Sequence, residues 1–124
     1  MKGILIVDHG SRLADANEML AEMAALIQSM AGSDVVVRYA HMELAEPDIN
    51  QGFADCVRAG ATDVTVFPYM LSPGRHSTAD IPRMVAVAAK AFPHVAFNVT
   101  PAFGLHEKLA QVVLERAAVG VHAG

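Results

Sequence analysis

Four short runs rich in Val, Ile and Phe, each followed by a stretch with apolar residues at three- and four-residue spacing, leave this chain few ways to fold. Gly3 to Val7 (GILIV) is apolar at consecutive positions, as a strand covered on both faces must be. Val35 to Ala40 (VVVRYA), Val64 to Phe67 (VTVF) and Val95 to Val99 (VAFNV) are the other three runs. Between them, Met19, Leu20, Met23, Leu26, Ile27 and Met30 predict an amphipathic helix from Asp15 that Gly32 stops. Ile49, Phe53, Cys56 and Val57 predict a second, with Gly60 as its stop. Ile81, Met84, Val85, Val87 and Ala88 predict a third, with Ser77, Thr78 and Asp80 as candidate N-caps and Pro82 in its first turn. A fourth spans Leu105 to Val119, with Leu109, Val112, Val113 and Arg116 spaced to serve both core and solvent. Parallel strands joined by helices require right-handed crossovers. The expected fold is α/β: a four-stranded parallel sheet, (βα)4, in strand order 2-1-3-4, with helices on both faces.

Composition narrows the function. A chain of 124 residues that is 53% hydrophobic can bury one full core, so residues 1–120 are expected to form a single domain, followed by a flexible tail over 121–124. The net charge is −4 and Lys and Arg are scattered, which argues against a nucleic-acid partner. No apolar run is long enough to cross a bilayer, and MKGILIVDHG runs into a strand without a cleavable signal pattern. The single Cys56 excludes an intrachain disulfide and falls at an apolar helical position, as a small core residue does. A soluble cytoplasmic protein is the expectation. The methionines fall mainly at helix core spacing, whereas Met42 and Met70 lie near the loops and are pocket candidates.

In a parallel sheet every strand-to-helix loop leaves by the same edge. Residues 8–12, 41–47, 69–80 and 101–108 therefore converge, bringing His9, His41, His76 and His106 to one side and leaving His94 and His122 elsewhere on the surface. His9 and His76 follow the two strands that flank the switch point, where open α/β sheets hold their ligands. Glu43 or Glu46, in the neighbouring loop, can complete a His/His/carboxylate set suited to a first-row divalent metal. The competing reading makes His9 a turn residue and His76 a solvated one, and spacing leaves the roles of His41 and His106 open. Other chemistries lack their signatures. DHGSR is neither a P-loop nor a dinucleotide fingerprint, no G-x-S-x-G elbow exists, and Asp8, His9 and Ser11 are too close in sequence to act as a triad.

DHGSR after the first strand, MELAEPDI after the second, FPYMLSPGRHSTADIP after the third and PAFGLHEKL after the fourth resemble the small sirohydrochlorin chelatases of the CbiX and SirB type. The resemblance covers essentially the whole chain. It implies a class II chelatase fold and a lyase that inserts Fe2+ or Co2+ into sirohydrochlorin, for siroheme or cobalamin. The same ligands accept Ni2+, although the wording PYMLSPGRH is closer to the siroheme-branch iron enzymes. The metal is a substrate, and no tightly bound cofactor is implied. Carried over, His9 and His76 are metal-binding and catalytic, and Glu43 is the acidic residue of the family's ELAEP motif.

Longer members of that family hold two such domains in tandem, so a one-domain chain implies a homodimer with the macrocycle between or beside two copies. The polycarboxylated substrate is expected to meet Ser11, Arg12 and Arg75, with Arg83, Lys108 and helix N-termini adding positive charge. Met42, Leu44, Tyr69, Leu71 and Phe103 are expected to wall the ring. Two rivals stand beside this reading. One is a noncatalytic metal or tetrapyrrole carrier built on the same edge; the other is a hydrolase or phosphotransferase using His9, disfavoured by the missing second acid and phosphate loop.

Overall fold

A computed structural model describes residues 1–120, and the tail expected over 121–124 lies outside the described residues. The chain runs β1 (Lys2–Asp8), α1 (Ala14–Ala31), β2 (Val35–His41), α2 (Ile49–Arg58), β3 (Asp63–Pro68), a π-helical turn (His76–Asp80), α3 (Ile81–Ala89), β4 (Ala96–Val99) and α4 (Glu107–Arg116). The strands form one four-stranded sheet in the order β2-β1-β3-β4, every pair parallel, with Ile4 beside Val37 on one flank and Thr65 on the other. Both the alternation and the strand order follow the pattern of the sequence.

Strand periodicity splits the core in two. On one face Leu5, Val7, Val64 and Val66 pack under Ile49, Phe53 and Cys56 of α2 and Ile81, Val85 and Ala88 of α3. Phe53, Leu5 and Ile81 are fully buried there, each contributing about 1.5–3 kcal/mol of transfer free energy. On the other face Ile6 and Val37 meet Leu20 and Ala24 of α1, with Ile4, Met23, Ile27, Tyr39, Phe67 and Tyr69 packed around them. Asp48 starts α2 with a capping box: its carboxylate accepts from the Gln51 N–H, and the Gln51 side chain reaches back to the Asp48 N–H.

Two helices depart from the expected burial. The apolar stripe of α1 is wider than its seat, because the helix rests mainly on the flanking strand β2; Met19, Leu26 and Met30 stay exposed rather than packed. Helix α4 buries no side chain, and Val112 and Val113 face outward. It follows the short edge strand β4 and never closes on the sheet. An apolar groove of about 340 Å3 is left between Met23 and Ile27 of α1, Phe67 and Tyr69 of the sheet, and Leu109 and Val112 of α4. Among the described residues, no helix is long and apolar enough to cross a membrane.

Candidate functional site

Pairing between the first two strands does not stop where the strands do. The Met42 N–H donates to the Asp8 carbonyl at 2.9 Å and the Glu43 N–H to the His9 carbonyl at 3.2 Å, so the second loop is stitched to the first. That backbone register brings Glu43 Oε1 to 2.9 Å from His9 Nε2. Gly10 makes the approach possible. Its φ is 95°, and a Cβ built on it would stand 1.9 Å from the Glu43 carbonyl oxygen, a contact that no other residue survives. Asn17 of α1 then clamps the loop, accepting from the Ser11 N–H at 3.0 Å and donating to the Ser11 carbonyl at 2.7 Å. Leu44, next to Glu43, sits in the left-handed region at φ 70°, and its side chain is exposed.

The third loop is built differently. Ser77, Thr78 and Asp80, expected as N-caps, do not cap α3, because the backbone is already helical from His76. Ser77 Oγ accepts from the Gly74 N–H at 3.0 Å, and the Thr78 N–H and hydroxyl both donate to the Gly74 carbonyl, at 2.9 and 2.7 Å. The turn after Pro73-Gly74 is thereby pinned to the helical start. Asp80 faces the histidine: its Oδ2 lies 3.0 Å from His76 Nδ1, while its Oδ1 accepts from Arg83 at 3.3 Å. Partial desolvation pushes the Asp80 carboxyl up, but the hydrogen bonds and positive charges of Arg83 and His76 outweigh it and hold the carboxyl below its ordinary 3.8.

These two constructions deliver His9 and His76 to one another. Their ring centroids are 4.7 Å apart and their planes are inclined at 75°. Each side chain is 48% exposed, open to solvent yet held. A carboxylate only accepts, so the ring hydrogens lie on Nε2 of His9, toward Glu43, and on Nδ1 of His76, toward Asp80. Each neutral ring keeps one lone pair, on Nδ1 of His9 and Nε2 of His76. Among the described residues, no three His, Cys, Asp or Glu side chains form a ready-made metal cage. Glu43 bonds the His9 ring rather than standing beside the two rings as a third arm.

The model of the CbiX family matches residues 3–119. The chain belongs to the CbiX family. Its CbiX relatives include the chloroplastic sirohydrochlorin ferrochelatase of Arabidopsis thaliana, 46% identical over 114 residues, which are 92% of this chain and 50% of that protein. The sirohydrochlorin cobaltochelatase of Methanococcoides burtonii is 34% identical over 93% of both chains. The crystal structure of the sirohydrochlorin chelatase SirB from Bacillus subtilis subspecies spizizenii in complex with cobalt superposes with a TM-score of 0.85 at 32% identity, covering 94% of this chain and 50% of that one. This chain spans half or less of the length of the first curated relatives it matches, between 37% and 50%.

The other residues singled out in this CbiX sequence take varied places. His41 is 1% exposed, its Nδ1 2.6 Å from Asp8 Oδ1, and it locks β2 to β1. His106 caps α4, its Nδ1 accepting from the Lys108 N–H at 3.0 Å. Glu46 is 3.4 Å from Gln51 Nε2, so of the two loop carboxylates Glu43 is the one at the histidines. Ser11 Oγ accepts from the Leu13 N–H within its own loop, while Arg12, Arg75 and Leu71 are exposed. The apolar wall is divided. Met42 lines a cleft with Ile49, Arg83 and Met84 on the α2–α3 face. Tyr69 and Phe103 stack edge to face at 4.9 Å on the α1 side. Sequence reading missed Asp80 and Gly10 as site residues; the His-x-x-x-Asp spacing in HSTAD and the glycine of DHGSR were the available signals.

Proposed function

We propose that this chain is a sirohydrochlorin chelatase, inserting Fe2+ or Co2+ into sirohydrochlorin with His9, Glu43 and His76 as the residues that handle metal and protons. The observation that carries the reading is the meeting of two half-exposed imidazoles, each backed by its own carboxylate. The names of the relatives support the substrate, and the ferrochelatase and cobaltochelatase names together with the cobalt complex of SirB support the metal. Insertion replaces two pyrrolic protons with one divalent ion, so the site must present a partly dehydrated cation and take up two protons. A lone pair from each ring, reaching about 2.1 Å to a shared ion, holds it with open positions for the macrocycle nitrogens. As the ion leaves for the macrocycle, the freed ring nitrogens accept the protons. His9 can pass one on, since protonation at Nδ1 is relayed from Nε2–H to Glu43 at 2.9 Å.

Ser11, Arg12, Arg75, Met42, Leu44, Tyr69, Leu71 and Phe103 belong to this reading as substrate contacts around the loop edge, the cations meeting carboxylates and the apolar side chains meeting the ring. The protein works as a homodimer in the cytoplasm, with metal and tetrapyrrole as its partners. Support for the second copy comes from relatives about twice as long and from the uncovered groove between α1 and α4. The deciding experiment mixes purified protein, sirohydrochlorin and limiting Fe2+ or Co2+ anaerobically and follows the absorption of the macrocycle. Insertion faster than the protein-free reaction is expected; stoichiometric binding without acceleration sinks the enzyme reading in favour of a carrier.

A further inference from the structure

We propose that Asp80 is a positioning residue for His76, holding its ring so that Nε2 faces the cleft as the free metal-binding nitrogen. The inference deepens the chelatase reading and rests on it for its catalytic meaning. Asp80 has no capping role to explain its presence, because its backbone is helical and its side chain accepts no hydrogen bond from a backbone N–H of the first turn of α3. Both carboxylate oxygens are used instead, Oδ2 on the His76 ring at 3.0 Å and Oδ1 on Arg83 at 3.3 Å. The carboxylate is the less exposed partner, 23% against 48% for the imidazole, so it lies behind the ring and not in its path to ligand.

The local backbone serves the same end. The Ile81 N–H bonds to the His76 carbonyl in a π-helical turn, a geometry that recurs at functional sites because it re-aims a side chain without breaking the helix. Arg83, one turn on, stops the carboxylate from rotating. A ring that donates Nδ1–H to a fixed carboxylate has its tautomer chosen and its opposite nitrogen made more basic. When Nε2 takes a proton, the same carboxylate stabilises the imidazolium formed. His9 is held on the same plan by Glu43 from a separate loop, so the two rings are oriented independently.

The test uses the full chain with Asp80→Ala and the isosteric Asp80→Asn, the latter serving if the alanine variant does not fold. Nitrogen-15 NMR of the ring nitrogens, at a pH where imidazole is neutral, is expected to show His76 in the Nδ1–H form in the parent and shifted toward Nε2–H in Asp80→Ala. Titration with Co2+ alone is expected to show affinity about 10-fold weaker or more in either variant, and Asp80→Ala in a His76→Ala background is expected to cost nothing further. A parent His76 in the Nε2–H form, or a tautomer indifferent to Asp80, overturns the proposal. If the parent accelerates no insertion, the chelatase reading fails by itself and the tautomer still decides the role of Asp80.

Discussion

The ring of His76 stands edge to face against that of His9, with centroids 4.7 Å apart, although one follows β1 and the other follows β3. Adjacent parallel strands release their loops side by side, and β1 and β3 are neighbours in register from Lys2 with Asp63 to Val7 with Pro68. Each ring is then fixed by a carboxylate of independent origin. The pairing is thus a property of the sheet order, reinforced by loop contacts.

Removing either ring should stop insertion while leaving the fold in place. His9→Ala and His76→Ala are expected to lower the insertion rate by about 100-fold or more, the range of lost acid–base catalysis. Both side chains are 48% exposed, so unfolding free energy should change by less than about 1 kcal/mol. Steady-state insertion assays beside urea denaturation check both halves, and a His76→Ala variant as fast as the parent contradicts the assigned role.

Gly10→Ala should be far costlier than its size suggests. The added methyl would meet the Glu43 carbonyl at 1.9 Å, and φ is 95°. Strain and displacement together are expected to destabilise by about 2 kcal/mol or more and to separate Glu43 from His9. A denaturation midpoint unmoved by this substitution would mean that the two loops are not in contact.

Acid should weaken the His76–Asp80–Arg83 cluster in a defined direction. Asp80 is partly desolvated, yet Arg83 and His76 hold its carboxyl below the ordinary value, so on acidification the unfolded chain takes up this proton before the folded one does. The contribution is full above the unfolded value near 4 and fades as pH falls through the depressed folded value. Parent stability should therefore drop more steeply below about pH 4 than that of Asp80→Asn, and superimposable stability–pH curves would refute this.

At the alkaline end the relevant group is Cys56. Burial, opposed by Arg38 and aided by Asp55, pushes its thiol from 9.0 up to about 12. Well below pH 9 both states are protonated and nothing is lost, but as pH rises through that value the unfolded chain ionises first and stability falls toward the folded value. Native protein should leave a thiol reagent unreacted until it unfolds, and Cys56→Ala should flatten the alkaline loss. Rapid modification of the native thiol at neutral pH is the contrary result.

The groove between α1 and α4 offers a test of the proposed dimer. Val112 is 49% exposed, so Val112→Asp should not unfold the domain, yet a charge on that wall should shift a dimer toward monomer. Light scattering across a concentration series reads the change; an unaltered mass with an intact fold places any dimer contact elsewhere.

Strand and helix order were legible in the sequence because two-sided burial writes consecutive apolar residues and helical burial writes spacings of three and four. GILIV and the Phe53–Cys56–Val57 set therefore led directly to the sheet and α2, and strand order placed His9 and His76 at a common edge. Side-chain partners were not legible, since they depend on angles and distances that residue order does not encode. Asp80 had the composition of a cap and became the brace of His76 once a π-helical turn began the helix early. Sequence brought His41 and His9 to the same edge, yet His41 is the last residue of β2 and is buried against Asp8, whereas His9 follows the end of β1 and stays open beside Glu43. Burial along α1 and α4 was misjudged for the same reason: an apolar stripe records what a helix can cover, while the width of the sheet beneath it determines what is covered.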